Sequence, residues 1–183
     1  MAVCTTVLPV VKADLCDQDI HFGEISMLLF TRLGDGLTLW TDDAEWATRM
    51  SNTTTGVTAL PTPPALASIR QLFGLGSIAA PERTEIRLPR RTKAFTTPKY
   101  TWTFNVTDTG DENMAFARTL PVGGQTYSGW FGTEERLFGG NDGVQITITA
   151  DPTIPENIDE IMVLTVTVAF EGTFPEVIDN PLV

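Results

Sequence analysis

The residues with the widest chemical repertoire stand near the start of the chain: Cys4, Cys16, Asp17, Asp19 and His21. Thiolates, carboxylates and an imidazole are zinc donors, but their spacing here matches none of the paired-cysteine or Cys/His patterns that close a tetrahedral site. His21 is the only histidine in the sequence, which removes acid–base relays and metal centres built on two or more imidazoles. A nucleophilic serine needs a base and a strained elbow, and no G-x-S-x-G occurs. Neither H-E-x-x-H, a phosphate-cradling P-loop nor C-x-x-C is present. Cys4 and Cys16 are read as two free thiols rather than a disulfide, because no export signal is visible ahead of them.

Three further groups could carry chemistry. Asp108, Asp111 and Asn113 bring oxygens to one turn and could bind Ca²⁺, yet the twelve-residue EF-hand pattern is absent and helix capping explains Asp111 equally well. Trp40, Trp46, Trp102 and Trp130 could form a platform for stacking sugars, although Trp102 alternates with Tyr100 and Phe104 as a core residue does. Carboxylates abound, but in an acidic chain their number is no evidence for a glycosidase pair. The sequons at Asn52 and Asn105 mean little without an export signal. The expectation is a protein that is not an enzyme and needs no cofactor and no metal.

Charge narrows the partners. The 183 residues carry a net charge of −11 with a pI near 4.4, which argues against a binder that neutralises phosphates, though not against a surface that DNA passes without sticking. No apolar run reaches the 18 or so residues of a spanning helix, so no membrane role is expected. The charge is also segregated. Arg83, Arg87, Arg90, Arg91, Lys93 and Lys99 place six of the twelve basic residues within 17 positions, whereas from Thr133 onward ten acidic residues face one basic residue, Arg136. The first five of those cations form a candidate subunit interface. Glu134, Glu135, Asp142, Glu156, Asp159 and Glu160 are its candidate acidic counterpart on a neighbouring copy. Solvated loops of opposite sign would give the same pattern.

The elements that must position these groups are mostly strands. In Ile161–Glu171, Met162, Leu164, Val166, Val168 and Phe170 share one face at period two, while the other passes from Ile161 and Val163 to Thr165, Thr167 and Glu171. Val144–Asp151 and Tyr100–Thr107 repeat the pattern, and Tyr127–Phe131 is a short aromatic strand. Glu24–Arg32 is apolar on both sides at Met27–Phe30 and so reads as central or interfacial. Gly34–Gly36 is a turn, after which Leu37–Trp40 restarts a strand. Thr41 or Asp42 caps a short helix over Asp43–Met50. A second helix is expected from Thr62, with Leu66, Ile69, Leu72 and Phe73 as its stripe and Gly74 as its stop. Pro81 opens an extended run with Ile86 and Leu88 inward. Thr109-Gly110-Asp111 leads into a short helix around Glu112–Arg118, and Gly139–Gly143 is a tight turn. The connection Pro152–Glu160 is long for a hairpin.

The fold class that follows is mainly β: an antiparallel β-sandwich or barrel with two or three short helices and extended terminal arms. The domain would run from 23 to 171, with arms at 1–22 and 172–183. Its core would include Trp102, Phe104, Ile146, Ile148, Leu164, Val166 and Val168.

Four stretches, FGEISMLLFTRLGDGLTLWTDDAEWATRMSN, ALPTPP…APERTEI, VTDTGDENMAFARTL and WFGTEERLFGGNDGVQITITADPTIPENIDEIMVLTVTVAF, together resemble the layout of small β-rich virion structural proteins of tailed phages, particularly crAss-like and related Bacteroidetes-infecting phages. The resemblance implies a tail-tube, tail-ring or head-associated subunit without catalytic residues. It would be a homo-oligomer, ring or tube, touching other virion structural proteins and assembled into the virion in the host cytoplasm. Segregated charge suits such contacts, net acidity suits a lumen for passing DNA, and a long strand with arms suits sheet extension between subunits. The alternative is a glycan-binding β-sandwich module, lectin-like or carbohydrate-binding, which would display two or three of Trp40, Trp46, Trp130 and Tyr127 coplanar on an open face.

Overall fold

A computed structural model describes residues 23–51, 69–81, 83–87, 93–154 and 161–182. Within them the chain forms β1 (Ile25–Arg32), α1 (Asp43–Ser51), β2 (Arg70–Gly76), β3 (Glu85–Arg87), β4 (Lys93–Phe95), β5 (Lys99–Val106), α2 (Asp111–Thr119), β6 (Gln125–Gly132), β7 (Arg136–Gly139), β8 (Val144–Thr153), β9 (Val163–Glu171) and β10 (Glu176–Asp179). Six antiparallel strands, in the order β1-β2-β5-β9-β8-β6, close into a barrel through the pairing of β6 back to β1. β7 and β10 extend from β6, and β3 and β4 form a separate two-stranded hairpin.

The barrel closes because its strands carry the alternation that a narrow, side-chain-filled interior requires. β5 alternates exposed and buried along its whole length, with Tyr100, Trp102, Phe104 and Val106 inside. Leu164, Val166, Val168 and Phe170 of β9 face them, and Ile146, Ile148 and Ala150 come from β8. All seven core residues expected from the sequence are buried. Each large aliphatic contributes about 1.5–3 kcal/mol of gross burial.

β1 is dry on both faces for a structural reason. Leu28 and Phe30 enter the barrel, whereas Met27 and Leu29 point outward into a second cluster with Leu37, Trp40, Trp46, Ile69, Trp130 and Leu137. The helix α1 roofs this outer cluster. Asp42 is its cap, its Oδ1 accepting the Ala44 N–H at 3.0 Å. Arg49, buried in the last turn, donates to the carbonyls of Gly36 at 2.5 Å and Asp35 at 2.7 Å.

Four local expectations need correction. Leu37–Trp40 is not a strand but a loop. Leu37 N–H donates to the Asn141 carbonyl at 2.6 Å and Trp40 N–H to Asn141 Oδ1 at 3.0 Å, so the alternation marks residues packed into the outer cluster. The stretch from Ile69 to Phe73 is not the second half of a helix: β2 occupies Arg70–Gly76 with Leu72 in and Phe73 out, and residues 62–68 lie outside the described residues. Gly74 does not stop a helix; it and Gly76 let β2 cross β5, since a Cβ at Gly74 would strike the Asn105 carbonyl and one at Gly76 would come within 2.7 Å of that of Thr103. Ile86 is 45 % exposed rather than inward, because among the described residues β3 pairs with β4 alone, apart from the barrel sheet; Leu88 lies outside the described residues. The C-terminal segment is extended but not detached. β10 pairs with β7, and Asn180 Nδ2 donates to the Thr133 carbonyl at 3.0 Å.

The registers fix the two ends of the barrel. Lys99 pairs with Glu171 and Val106 with Leu164, so β5 starts where β9 finishes. The β3–β4 hairpin, which runs into β5, therefore stands at one end, together with the close of β2 and β6 (Ile25 to Gly76, Met27 to Gly132). The end of β8 at Thr153 and the start of β9 at Val163 stand at the other. There α2 packs against β8, and Phe116 enters the barrel beside Phe30, 5.1 Å between ring centroids.

Candidate functional site

At the hairpin end, β3 and β4 pair Glu85 with Phe95, Ile86 with Ala94 and Arg87 with Lys93. Thr84 and Thr96 close the base of the hairpin, Thr96 N–H donating to the Thr84 carbonyl at 3.0 Å and Thr84 N–H to Thr96 Oγ1 at 2.9 Å. Arg87 and Lys93 are thus brought opposite each other, and Arg83 precedes them on an exposed stretch. Arg90 and Arg91 lie outside the described residues. Beneath the hairpin is a cavity of about 320 Å³ lined by Arg83, Phe95, Thr96, Pro98, Tyr100, Thr173 and Phe174. Its floor is aromatic: Phe174 lies 5.7 Å from Tyr100 and 5.6 Å from Phe138 between centroids, and Tyr100 stacks on Phe170 at 4.6 Å. Phe95 is 63 % exposed and Phe174 45 %. The cavity was not foreseen from the sequence. Phe174 falls in the segment read as an arm, and no local pattern brings residue 174 to residue 95.

The opposite end carries both signs, with Arg32 closing β1 and Arg70 opening β2. Asp108, Asp111, Glu112 and Asp151 are exposed there, with Arg118 in the last turn of α2. Exposed Ile154 and Ile161 flank the β8–β9 connection. Glu156, Asp159 and Glu160, between them in the chain, lie outside the described residues. The oxygens proposed for Ca²⁺ have local partners. Asp108 Oδ1 accepts the Gly110 N–H at 3.0 Å, and its carbonyl accepts from Asn113 Nδ2 at 2.8 Å. Gly110, not Asp111, is the N-cap of α2. Among the described residues no three of His, Cys, Asp and Glu are grouped to hold a metal.

The candidate acidic partners divide. Glu134 and Glu135 occupy the β6–β7 turn and Asp142 the β7–β8 turn, at the same end as Arg83 and Arg87 but around the barrel from β5 and β9. Cys4, Cys16, Asp17, Asp19 and His21 lie outside the described residues.

The tryptophans form no platform. Trp46 and Trp130 are fully buried, Trp40 and Trp102 nearly so. Trp46 Nε1 donates to the Trp40 carbonyl and Trp130 Nε1 to that of Gly140, both at 2.7 Å. Tyr127 is half-buried, its ring tilted against Phe30 at 5.1 Å, and burial pushes its hydroxyl pKa up. The outer wall of β5, β9 and β8 is instead a field of hydroxyls, with Thr103, Thr167 and Thr149 side by side in one row and Thr101, Ala169 and Thr147 in the next. A shallow groove of about 520 Å³ crosses it, ending at the 2.6 Å ion pair of Lys99 with Glu171.

Comparison with protein-family models, with curated proteins and with solved structures finds no match.

Proposed function

We propose that the protein is a non-catalytic structural subunit of a tailed-phage particle, which assembles with copies of itself into a ring or tube of the tail or head–tail region and meets other virion structural proteins there. The observation that carries this reading is the cluster of cations on the β3–β4 hairpin of a chain whose net charge is −11. The hairpin with Arg83, Arg87 and Lys93 stands at one end, and the exposed carboxylates Asp108, Asp111, Glu112 and Asp151 stand at the other. A basic patch on an otherwise acidic subunit can meet a different, acidic surface of its neighbour, the heterologous contact of rings and tubes. Isolated exposed ion pairs are worth only about 0–1 kcal/mol, so charge selects partner and orientation while apolar burial supplies the affinity.

The hydroxyl-bearing wall and the net charge of −11 suit a lumen through which DNA passes without being held. The glycan-binding alternative loses its strongest support, since the indoles that would stack on sugars are inside. Mass spectrometry of purified particles tests the proposal. The expected result is this chain as a stoichiometric virion component. Its absence from particles, together with binding of the isolated protein on a glycan array, would reverse the assignment.

A further inference from the structure

The cavity beneath the β3–β4 hairpin measures about 320 Å³, against the roughly 150 Å³ that holds a benzene ring. We infer that it is a binding site for a small aromatic carboxylate. The ligand's ring packs among Phe95, Tyr100 and Phe174, and its oxygens meet Arg83 and the hydroxyls beside it. The inference goes beyond the subunit reading and does not depend on it.

Three observations converge on it. The first is an aromatic floor that is already fixed. Tyr100 stacks on Phe170 with 13° between ring planes, and Phe174 tilts against Tyr100 while meeting Phe138 edge-on. Phe95 and Phe174 keep open ring surface for a further aromatic, and a floor that need not reorganise lowers the cost of binding. The second observation is the Tyr100 hydroxyl. Tyr100 is 5 % exposed, yet its hydroxyl has no hydrogen-bond partner among the described residues and is not sealed from solvent. A phenol this deeply placed ordinarily has a partner, and the cavity it lines has room for one. The third is the character of the rim. Arg83 can only donate. Thr96 Oγ1 already accepts the Thr84 N–H at 2.9 Å, which leaves its O–H to donate, and Thr173 adds a second hydroxyl. Donors around an apolar pocket call for a ligand that brings acceptors, and a guanidinium matches the two oxygens of a carboxylate.

Charges of both signs stand around this end of the barrel, Glu85 and the Lys99–Glu171 pair among them. Arg83 is nevertheless the only charged residue that lines the cavity, and this decides between ligand classes. Three rings could cage a quaternary ammonium, but a guanidinium in the same lining repels it. A wholly apolar ligand would cover the Tyr100 hydroxyl without giving it a partner, which costs affinity. A ring that carries a carboxylate satisfies both.

The test is an amide NMR titration of the full-length protein with hydrocinnamate as the probe. Hydrocinnamyl alcohol, which keeps the ring and loses the charge, and propionate, which does the reverse, are the controls. Hydrocinnamate is expected to saturate with a dissociation constant of about 1 mM or tighter, as suits a ligand of this size. Its shifts should centre on Arg83, Phe95, Tyr100 and Phe174. Each control should bind at least about fivefold more weakly, having lost either the charged hydrogen bonds or the apolar burial. Two variants follow, Arg83→Gln at an exposed position and Tyr100→Phe, which keeps the ring. Both should weaken hydrocinnamate by about threefold or more, and Arg83→Gln should leave binding of the alcohol unchanged. Thermal melting checks both folds, and Arg83→Gln alone carries the comparison if Tyr100→Phe disturbs the barrel. The inference is overturned by hydrocinnamate that does not saturate well above that concentration, or by shifts centred elsewhere. It is equally overturned by an alcohol that binds as tightly as the acid, or by an Arg83→Gln protein that binds the acid as the unmodified one does. None of these results bears on the particle assignment, which the composition of purified particles decides.

Discussion

Trp46 meets Trp130 edge-on, with 5.3 Å between ring centroids and 79° between ring planes. One ring belongs to α1 and the other to β6, so this contact fastens the helix to the outer wall of the barrel. The Trp130 N–H donates to the Gly140 carbonyl, whereas the Trp102 N–H, sealed inside the barrel, has no acceptor among the described residues. The same substitution should therefore have different costs at the two sites. Trp130→Phe loses packing and leaves a carbonyl unpaired, a combined cost of about 2–4 kcal/mol. Trp102→Phe removes an unsatisfied donor, which offsets much of its packing loss, and is expected to cost under about 1.5 kcal/mol. Urea unfolding of both variants decides it, and equal costs would show that the missing acceptor has no energetic weight.

Gly139 and Gly34 make a second comparison. A Cβ at Gly139 would overlap the Trp130 indole, whereas Gly34, at φ +88°, has open space around it. Gly34→Ala should cost only the left-handed backbone penalty, about 1 kcal/mol. Gly139→Ala must also displace the indole, adding roughly 1–3 kcal/mol. Thermal melts in which Gly34→Ala is the more damaging would contradict this packing.

Glu45 gives the fold a pH dependence. Burial pushes its carboxyl up, but the N–H groups of Thr38 and Leu39, the Thr38 hydroxyl and the Arg49 charge outweigh it and hold the group below its ordinary value. A carboxyl depressed in the folded state stabilises above its unfolded pKa, about 4.3, and the stabilisation is lost as pH falls through the folded value. Glu45→Gln should therefore melt lower than the unmodified protein at neutral pH, and the gap should close as the pH is taken below about 4. A gap that stays constant into acid would remove Glu45 from the account.

Asn180 ties down the C-terminal segment. Its Nδ2 donates to the Thr133 carbonyl, its N–H to that of Glu135 at 2.9 Å, and its Oδ1 accepts from Leu182 N–H at 3.0 Å. Asn180→Ala should cost about 1–2 kcal/mol. Hydrogen exchange should show the loss first in the β7–β10 pairing, with the β5–β9 amides unchanged. Uniform loosening of the whole barrel would mean that the tail is part of the cooperative core.

Strands with one dry and one wet face were legible from sequence, because burial on one side writes a period of two into β5, β8 and β9. The doubly buried β1 was legible as central. What was not legible depended on contacts distant in the chain. The stripe of Ile69, Leu72 and Phe73 fits a helix as well as a strand, and only the close crossing with β5 explains its glycines. β7 and β10 are four residues each, and they exist by pairing with each other and with β6. The same holds for function. Segregation of charge could be read along the chain, but the register of β5 against β9 brings the basic hairpin to the same end as Glu134 and Glu135, which no reading along the chain shows. The aromatic cavity joins residues 83, 95, 100 and 174, and no spacing announces it.

Closure of the barrel also bears on solubility. With β6 paired to β1, the outermost strand of the large sheet is β10, whose far side has no neighbour among the described strands. An open flank of this kind recruits other chains into cross-β aggregates unless something blunts it. Here it is four residues long and begins and ends with a carboxylate, Glu176 and Asp179. Two copies approaching antiparallel along it would set Glu176 against Asp179 at both ends, so a crowded solution of the protein should resist amyloid-like growth along this flank at neutral pH.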